Sequence, residues 1–220
     1  ADAWGVSGRL GLNWSLSEDT RFGAAYNFGT HLNDLQGGAV LTAVDQVAGQ
    51  IPISGRVHVR DFQMPASLGA GVTHQLQDNW SLSLDVTRVF WRDVLKDLHV
   101  SFTSDSGDDL NLTVPQNYKD QTILAVGTDY AIYDWILRAG YRHGSEVVPD
   151  HDLFVTLPVT PTRILSAGFS YRISSHGQVD FAYSHNLEID RTNPKNTNTG
   201  HPVRTTESQN NFVLSYTLNF

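Results

Sequence analysis

The chain has 220 residues, no Cys, one Met, 18 Gly, a formal net charge of −8 and a pI near 5.5. Without Cys there is no disulfide framework and no thiolate metal site, and the 15 dispersed Lys and Arg residues exclude the basic surface that nucleic acid requires. Mean hydropathy is −0.27 and no apolar run approaches about 18 residues, which excludes a transmembrane helix but not a spanning strand, since that needs only about 9–11 residues.

Strand-like segments are predicted in order. The first covers residues 4–16 and ends in the turn Ser17-Glu18-Asp19; the second covers 20–28. A long connection, 31–55, follows. The third strand is placed at 57–76 and turns at Gln77-Asp78-Asn79; the fourth is placed at 80–102, with a polar loop over 103–116. The fifth, 118–132, turns at Tyr133-Asp134 into the sixth, 135–146, and 147–160 loops out. The seventh, 162–173, turns at 174–177 into the eighth, 178–190; 191–206 is a polar loop, and the ninth ends at Phe220. Short and long connections therefore alternate, which is the rhythm of an up-and-down barrel with tight turns on one rim and long loops on the other.

Most strands alternate with period two, so each has one apolar and one polar face. In the eighth, Val179, Phe181 and Tyr183 oppose Asp180, Ala182 and Ser184; in the last, Phe212, Leu214, Tyr216, Leu218 and Phe220 oppose Asn211, Ser215 and Asn219. A mid-bilayer Arg or Lys facing lipid costs about 2–4 kcal/mol. The register that avoids this cost puts Arg9, Asp85, Asp129, Arg138, Arg142, Arg172, Asp180 and Glu188 in a lumen. Trp14, Trp80, Tyr133, Trp135, Tyr171 and Phe220 gather beside the short turns, as an interfacial aromatic girdle does. Nine antiparallel strands do not close as one bacterial barrel, where strand numbers are even, so either the count is off by one or the chain is the C-terminal part of a larger barrel.

Several short motifs follow one another over more than 150 residues. They are Met64-Pro65-Ala66-Ser67 before Gly69; Asp78-Asn79-Trp80 with Trp91 and Leu95; Asn117-Tyr118-Lys119-Asp120 before Gly127 and Tyr130; and Val148-Pro149-Asp150 through Leu157-Pro158 to the stretch from Arg163 to Tyr171. In order and spacing they resemble the C-terminal half of the FadL family, outer-membrane transporters of long-chain fatty acids and other hydrophobic compounds. The resemblance implies an all-β, antiparallel, 14-stranded barrel. Residues 1–220 would be its C-terminal part, without the N-terminal hatch and about five strands. It further implies passive transport across the bacterial outer membrane, no cofactor, no ATP, a monomer, contact with lipid and lipopolysaccharide, and insertion by the barrel-assembly machinery through Tyr216, Leu218 and Phe220.

By order, the connection 31–55 matches a family loop of the outer capture groove. Val40, Leu41, Val44, Val47 and Ile51, with Ala48, fall at helical spacing, so a short amphipathic capture helix is predicted. The family's basic residue for a substrate carboxylate is missing from Leu112-Thr113-Val114-Pro115, where Lys119 is the nearest cation. That favours a neutral hydrophobic substrate.

Other chemistry is weaker. The nine His residues are scattered and no pair has i,i+4 spacing, so no metal site is read. A hydrolase would need Ser and His on one wall, but Ser184 and His185 are sequence neighbours and point to opposite faces of a strand. A diffusion porin would carry strong charge ladders in an open lumen, whereas the charges here are mixed in sign among Gly and Ser.

Overall fold

The computed structural model describes residues 1–45, 49–153, 161–195 and 201–218. In chain order its strands are β1 (Gly5–Val6), β2 (Arg9–Ser15), β3 (Thr20–Asn27), β4 (His31–Leu32), β5 (Leu35–Asp45), β6 (Gly49–Arg60), β7 (Ser67–Gln77) and β8 (Trp80–Val89). They continue as β9 (Asp97–Ser104), β10 (Asp109–Pro115), β11 (Gln121–Ile132), β12 (Trp135–Gly144), β13 (Arg163–Arg172), β14 (Gly177–Asn193) and β15 (Val203–Leu218). Among the described residues no helix is long and apolar enough to cross a membrane.

Nine strands form one antiparallel sheet in the order β15-β14-β13-β12-β11-β8-β7-β3-β2. Sequence neighbours pair through tight turns. Leu16 and Ser17 N–H donate to the Thr20 carbonyl at 2.9 and 3.2 Å, and Ile173 N–H donates to the Gly177 carbonyl at 2.9 Å. The Tyr133-Asp134 turn needs a left-handed residue, and Tyr133 adopts φ +52° with its ring in the open. This sheet is a β-barrel wall.

The ladder gives each row a face, because directly paired residues project to the same side. One row runs Val72, Leu84, Val126, Tyr141, Leu165; a second runs Trp80, Tyr130, Leu137, Phe169, Phe181, Leu214. Most of these large side chains are exposed, Leu214 at 76%, while Val72, Phe169 and Phe181 are half-buried; Phe212, on the same face of β15, is 68% exposed. The opposite face carries Gly and small or charged residues and lines two concavities of about 690 and 680 Å³. Small residues are required there: a Cβ on Gly168 would stand 2.6 Å from the Phe181 carbonyl oxygen. In a barrel wall of this kind the nonpolar face is the convex, lipid-facing side and the polar face is the hollow side.

Outside this wall the structure departs from the sequence reading. The third and fourth strands, predicted as 57–76 and 80–102, are each broken. Asp61 takes a left-handed φ of 61° and Pro65 follows, ending β6 before β7. The other chain leaves the wall at Phe90 through a 3-10 turn at Trp91–Asp93, where the Asp120 carboxylate accepts from Arg92 N–H at 3.1 Å. Beyond these breaks β6 pairs with β9, and β5 and β10 add at the edges to give a separate sheet of order β10-β9-β6-β5. The predicted loop 103–116 is largely β10, whose Leu110 and Leu112 alternate with Asp109, Asn111 and Thr113.

Among the described residues the predicted capture helix is absent. Val40, Leu41 and Val44 lie in β5, Ile51 lies in β6, and Val47 lies outside the described residues. The physical reason is that β-branched Val and Ile stiffen at χ1 and prefer strands. Gly49 at φ +76° and Pro52 also favour a hairpin over helical continuation.

A face test follows. Leu214→Arg should destabilise the refolded barrel by about 2–4 kcal/mol in urea titration, and Ser215→Arg by much less. Equal costs would remove the distinction between the faces, and a larger cost for Ser215→Arg would invert them.

Candidate functional site

The ladder brings seven predicted interior residues onto the concave face: Arg9, Asp85, Asp129, Arg138, Arg142, Arg172 and Asp180. Asp129 and Arg138 face each other directly, with Nε 3.0 Å from Oδ1. Arg138 Nη1 also donates to Ser170 Oγ at 2.5 Å, and Ser170, 1% exposed, donates in turn to Asp180. Gln178 Nε2 donates to the same carboxylate oxygen of Asp180 at 2.8 Å. The result is a polar chain across four strands in which both signs are matched locally.

Glu188 does not join them. The register of β14 against β15 slips between Asn186 and Ile189, so one extra residue flips the rest of the strand. Ile189, Arg191 and Asn193 turn to the concave side, and Glu188 and Asp190 turn outward. Arg204, across on β15, is paired with Asp190 on that outer side.

The bulge feeds a buried cluster above the concave face. Ile189 packs with Val147, Val148 and Leu153 from the connection after β12, and Trp91 and Tyr118 cover the group. The two rings meet edge to face at 5.9 Å. Arg191, with its side chain 11% exposed, clamps this connection: it lies 2.7 Å from Glu146 Oε2, and its Nε donates to Asp150 Oδ1 at 2.6 Å. Asn193 Nδ2, also buried, donates to the carbonyls of His151 and Leu153. Burial raises the pKa of the Tyr118 phenol above its ordinary value. Lys119 is exposed; its backbone N–H donates to the Val147 carbonyl, so its main chain serves the clamp. Nothing in the period-two pattern announces Arg191 or Asn193, because the slip reverses their parity.

The outer sheet has its own apolar face. Register places Leu41 with Ile53, Val57 with Phe102, Phe102 with Leu110, and Val100 with Leu112 on one side. The other side bears Arg56, His58, Arg60, His99 and Thr113. On the apolar side a groove of about 170 Å³ runs between Leu41, Val57, Val100, Phe102, Leu110 and Leu112. Phe102 is 7% exposed, while Leu110 and Leu112 stand more than half open. Leu41 and Ile51 share this face through the Ala43–Ile51 pairing; Val40, opposite Ser54 at an alternate position of β5, also borders the groove, with Ala39.

The His residues stay apart, and among the described residues no group of three or more potential metal ligands forms. Ser184 projects to the concave side near Asn211, whereas His185 bonds Asn210 on the convex side.

A curved antiparallel wall, apolar outside and polar inside, with long connections on one rim, defines a transmembrane β-barrel of the outer-membrane type. The family model for outer membrane protein transport proteins (OMPP1/FadL/TodX) matches residues 1–220, and the chain belongs to that family of outer-membrane transport proteins. The long-chain fatty acid transport protein of Escherichia coli (strain K12) is 22% identical over 193 residues, 83% of this chain and 42% of that protein. The Pseudomonas putida toluene transporter TodX superposes with a TM-score of 0.84 at 33% identity, covering 99% of this chain and 50% of its own. The Ralstonia pickettii toluene transporter TbuX gives 0.78 at 39% identity, with 99% and 48% covered. The chain thus spans about half the length of the relatives it matches.

Arg191→Met should release the clamp, so that added protease cuts residues 145–153 about tenfold faster, equivalent to roughly 1.4 kcal/mol of lost protection. A raised phenol pKa means that folding favours neutral Tyr118; its contribution is full below about pH 10 and fades as pH climbs through the raised value. Tyr118→Phe should remove that alkaline loosening of the cluster, read as Trp91 fluorescence against pH.

Proposed function

We propose that this chain forms the C-terminal part of a larger barrel that passively conducts small neutral hydrophobic molecules across the bacterial outer membrane. Family membership supports transport. The groove on the outer sheet carries the reading of substrate class. Its walls are aliphatic and aromatic, and none of its lining residues is charged. Its volume of about 170 Å³ is close to the roughly 150 Å³ of an apolar cavity known to accept benzene. TodX and TbuX, described as toluene transporters, are more similar in sequence than the fatty acid transport protein. A monoaromatic hydrocarbon therefore fits better than a long-chain carboxylate, and Lys119 has no part in the groove.

In this reading Leu41 and Ile51 belong to the apolar capture face, Val40 lines the groove, and Val44 lies in the same strand, β5. Capture is driven by removing apolar surface from water, about 25 cal/mol per Å². Arg9, Asp85, Asp129, Arg138, Arg142, Arg172 and Asp180 line the lumen, where their matched charges hold an interior rather than sort ions. No bond is made or broken and no cofactor takes part; the gradient supplies the direction. Tyr216 and Leu218 on the convex face of β15, followed by Phe220 outside the described residues, act as the signal to the assembly machinery, and the barrel works as a monomer.

Leu110→Asp with Leu112→Asp should cut uptake of labelled toluene by cells carrying the full-length protein about tenfold at limiting concentration, with recovery near saturation. Unchanged uptake would remove the groove from the pathway. Large steady ion currents through the full-length protein in a planar bilayer would favour an open porin instead.

A further inference from the structure

The convex face holds one feature that lipid contact alone leaves unexplained. Between β3 and β12 it is cut by a slot of about 670 Å³, lined almost wholly by apolar atoms. The floor is Ala70, Val86 and Leu124; Phe22 and Tyr141 stand at the sides; and His143 closes one end. The slot exists because β7 places Ala70 on this face, paired with Ala24 on one side and with the larger Val86 on the other. His143 pairs across the ladder with Arg163, so an imidazole and a guanidinium stand together at the head of an apolar channel.

Both residues lie where β12 and β13 approach the long connection, away from the aromatic rim of tight turns. Long connections face outward in barrels of this type, which sets the pair at the headgroup level of the outer leaflet.

The charge pattern is selective. Arg88, Arg163 and Arg204 project from the convex face. Arg88 is 3.0 Å from the Asp120 carboxylate, and Arg204 is paired with Asp190. Among the described residues Arg163 has no carboxylate; its Nη2 reaches only the Glu188 carbonyl oxygen, at 3.4 Å. His185 and Asn210 continue the polar edge, bonded to each other at 2.9 Å. An exposed guanidinium beside an imidazole, above an open apolar slot in which Val86 and Leu124 stand exposed, matches an anion attached to an acyl chain.

We propose that the slot and the Arg163–His143 pair form a site for a phosphorylated glycolipid of the outer leaflet. One acyl chain lies over Ala70, Val86 and Leu124, and a phosphate sits on Arg163 with a sugar oxygen or second phosphate oxygen on His143. The site is on the outside of the wall and does not depend on what the barrel conducts. A free phosphate would leave the slot empty, and an uncharged amphiphile would leave Arg163 unmatched.

Native mass spectrometry of the full-length protein in detergent, titrated with bisphosphorylated lipid A, tests this. Saturable binding of one lipid is expected, weakened about fivefold by Arg163→Gln, in line with the contribution of a single cation near a charged lipid surface. Ala70→Phe should weaken it at least as much, with both polar residues intact. Dephosphorylated lipid A should bind the unmodified protein as poorly as lipid A binds the Arg163→Gln variant, and 0.5 M salt should weaken lipid A. These last two arms need no variant to fold. The proposal is overturned if Arg163→Gln binds lipid A as the unmodified protein does, if removing the phosphates changes nothing, or if phosphatidylglycerol binds as tightly as lipid A.

Discussion

The backbone ladder between adjacent antiparallel strands is the constraint on which the rest of this structure depends. In hydrocarbon no water is available to an unpaired N–H or C=O, and each such group costs several kcal/mol. The chain meets this by pairing every inner strand of the wall on both sides, for example β11 with β8 along one edge and β12 along the other. Once those bonds are made, side-chain direction is no longer free. Every second residue meets lipid, and the residues between them share the interior.

That loss of freedom organises the charges. Asp129 meets Arg138 because the β11–β12 register sets them opposite, and Arg138 reaches Ser170, and Ser170 Asp180, because the next two strands keep the same face. The same rule explains the exception. A single extra residue at Asn186–Ile189 changes parity, sends Glu188 and Asp190 outside, and brings Ile189, Arg191 and Asn193 in to hold the connection at the mouth. The bulge thus converts a wall strand into a support for a buried cluster, without breaking the pairing on either side of it.

Beyond the wall the ladder is used again in water. The strands flanking the β7–β8 hairpin leave it through Asp61 and the Trp91–Asp93 turn, pair a second time as β6 and β9, and gain an edge strand each. Here pairing is not imposed by lipid, so the sheet has an apolar face that packs only partly. Phe102 is covered, whereas Leu110 and Leu112 stay open to solvent. On the transport reading proposed above, this open apolar groove is where a hydrophobic solute would leave water.

Much of this was legible in the residues. The alternation of Leu165, Ala167, Phe169 and Tyr171 with Ser166, Gly168 and Ser170 determined a two-faced strand, because side-chain direction in a strand depends only on position parity. The turn residues Asp78-Asn79 and Tyr133-Asp134 determined where such strands reverse. The resemblance of the motifs pointed to the family that the whole-chain match shows. What the sequence left open lay where parity is interrupted or where two periods fit the same residues. Val40, Leu41, Val44 and Ile51 suit both a helix and a hairpin, and pairing of β5 along β6 adds to the strand preference of Val and Ile in selecting the hairpin. The place of Glu188 depended on a register slip set by the partner strand β15, and the meeting of His143 with Arg163 depended on how β12 and β13 align. Local pattern is carried by the chain itself; register, bulges and cross-strand neighbours are properties of pairs of strands, and only the folded sheet contains them.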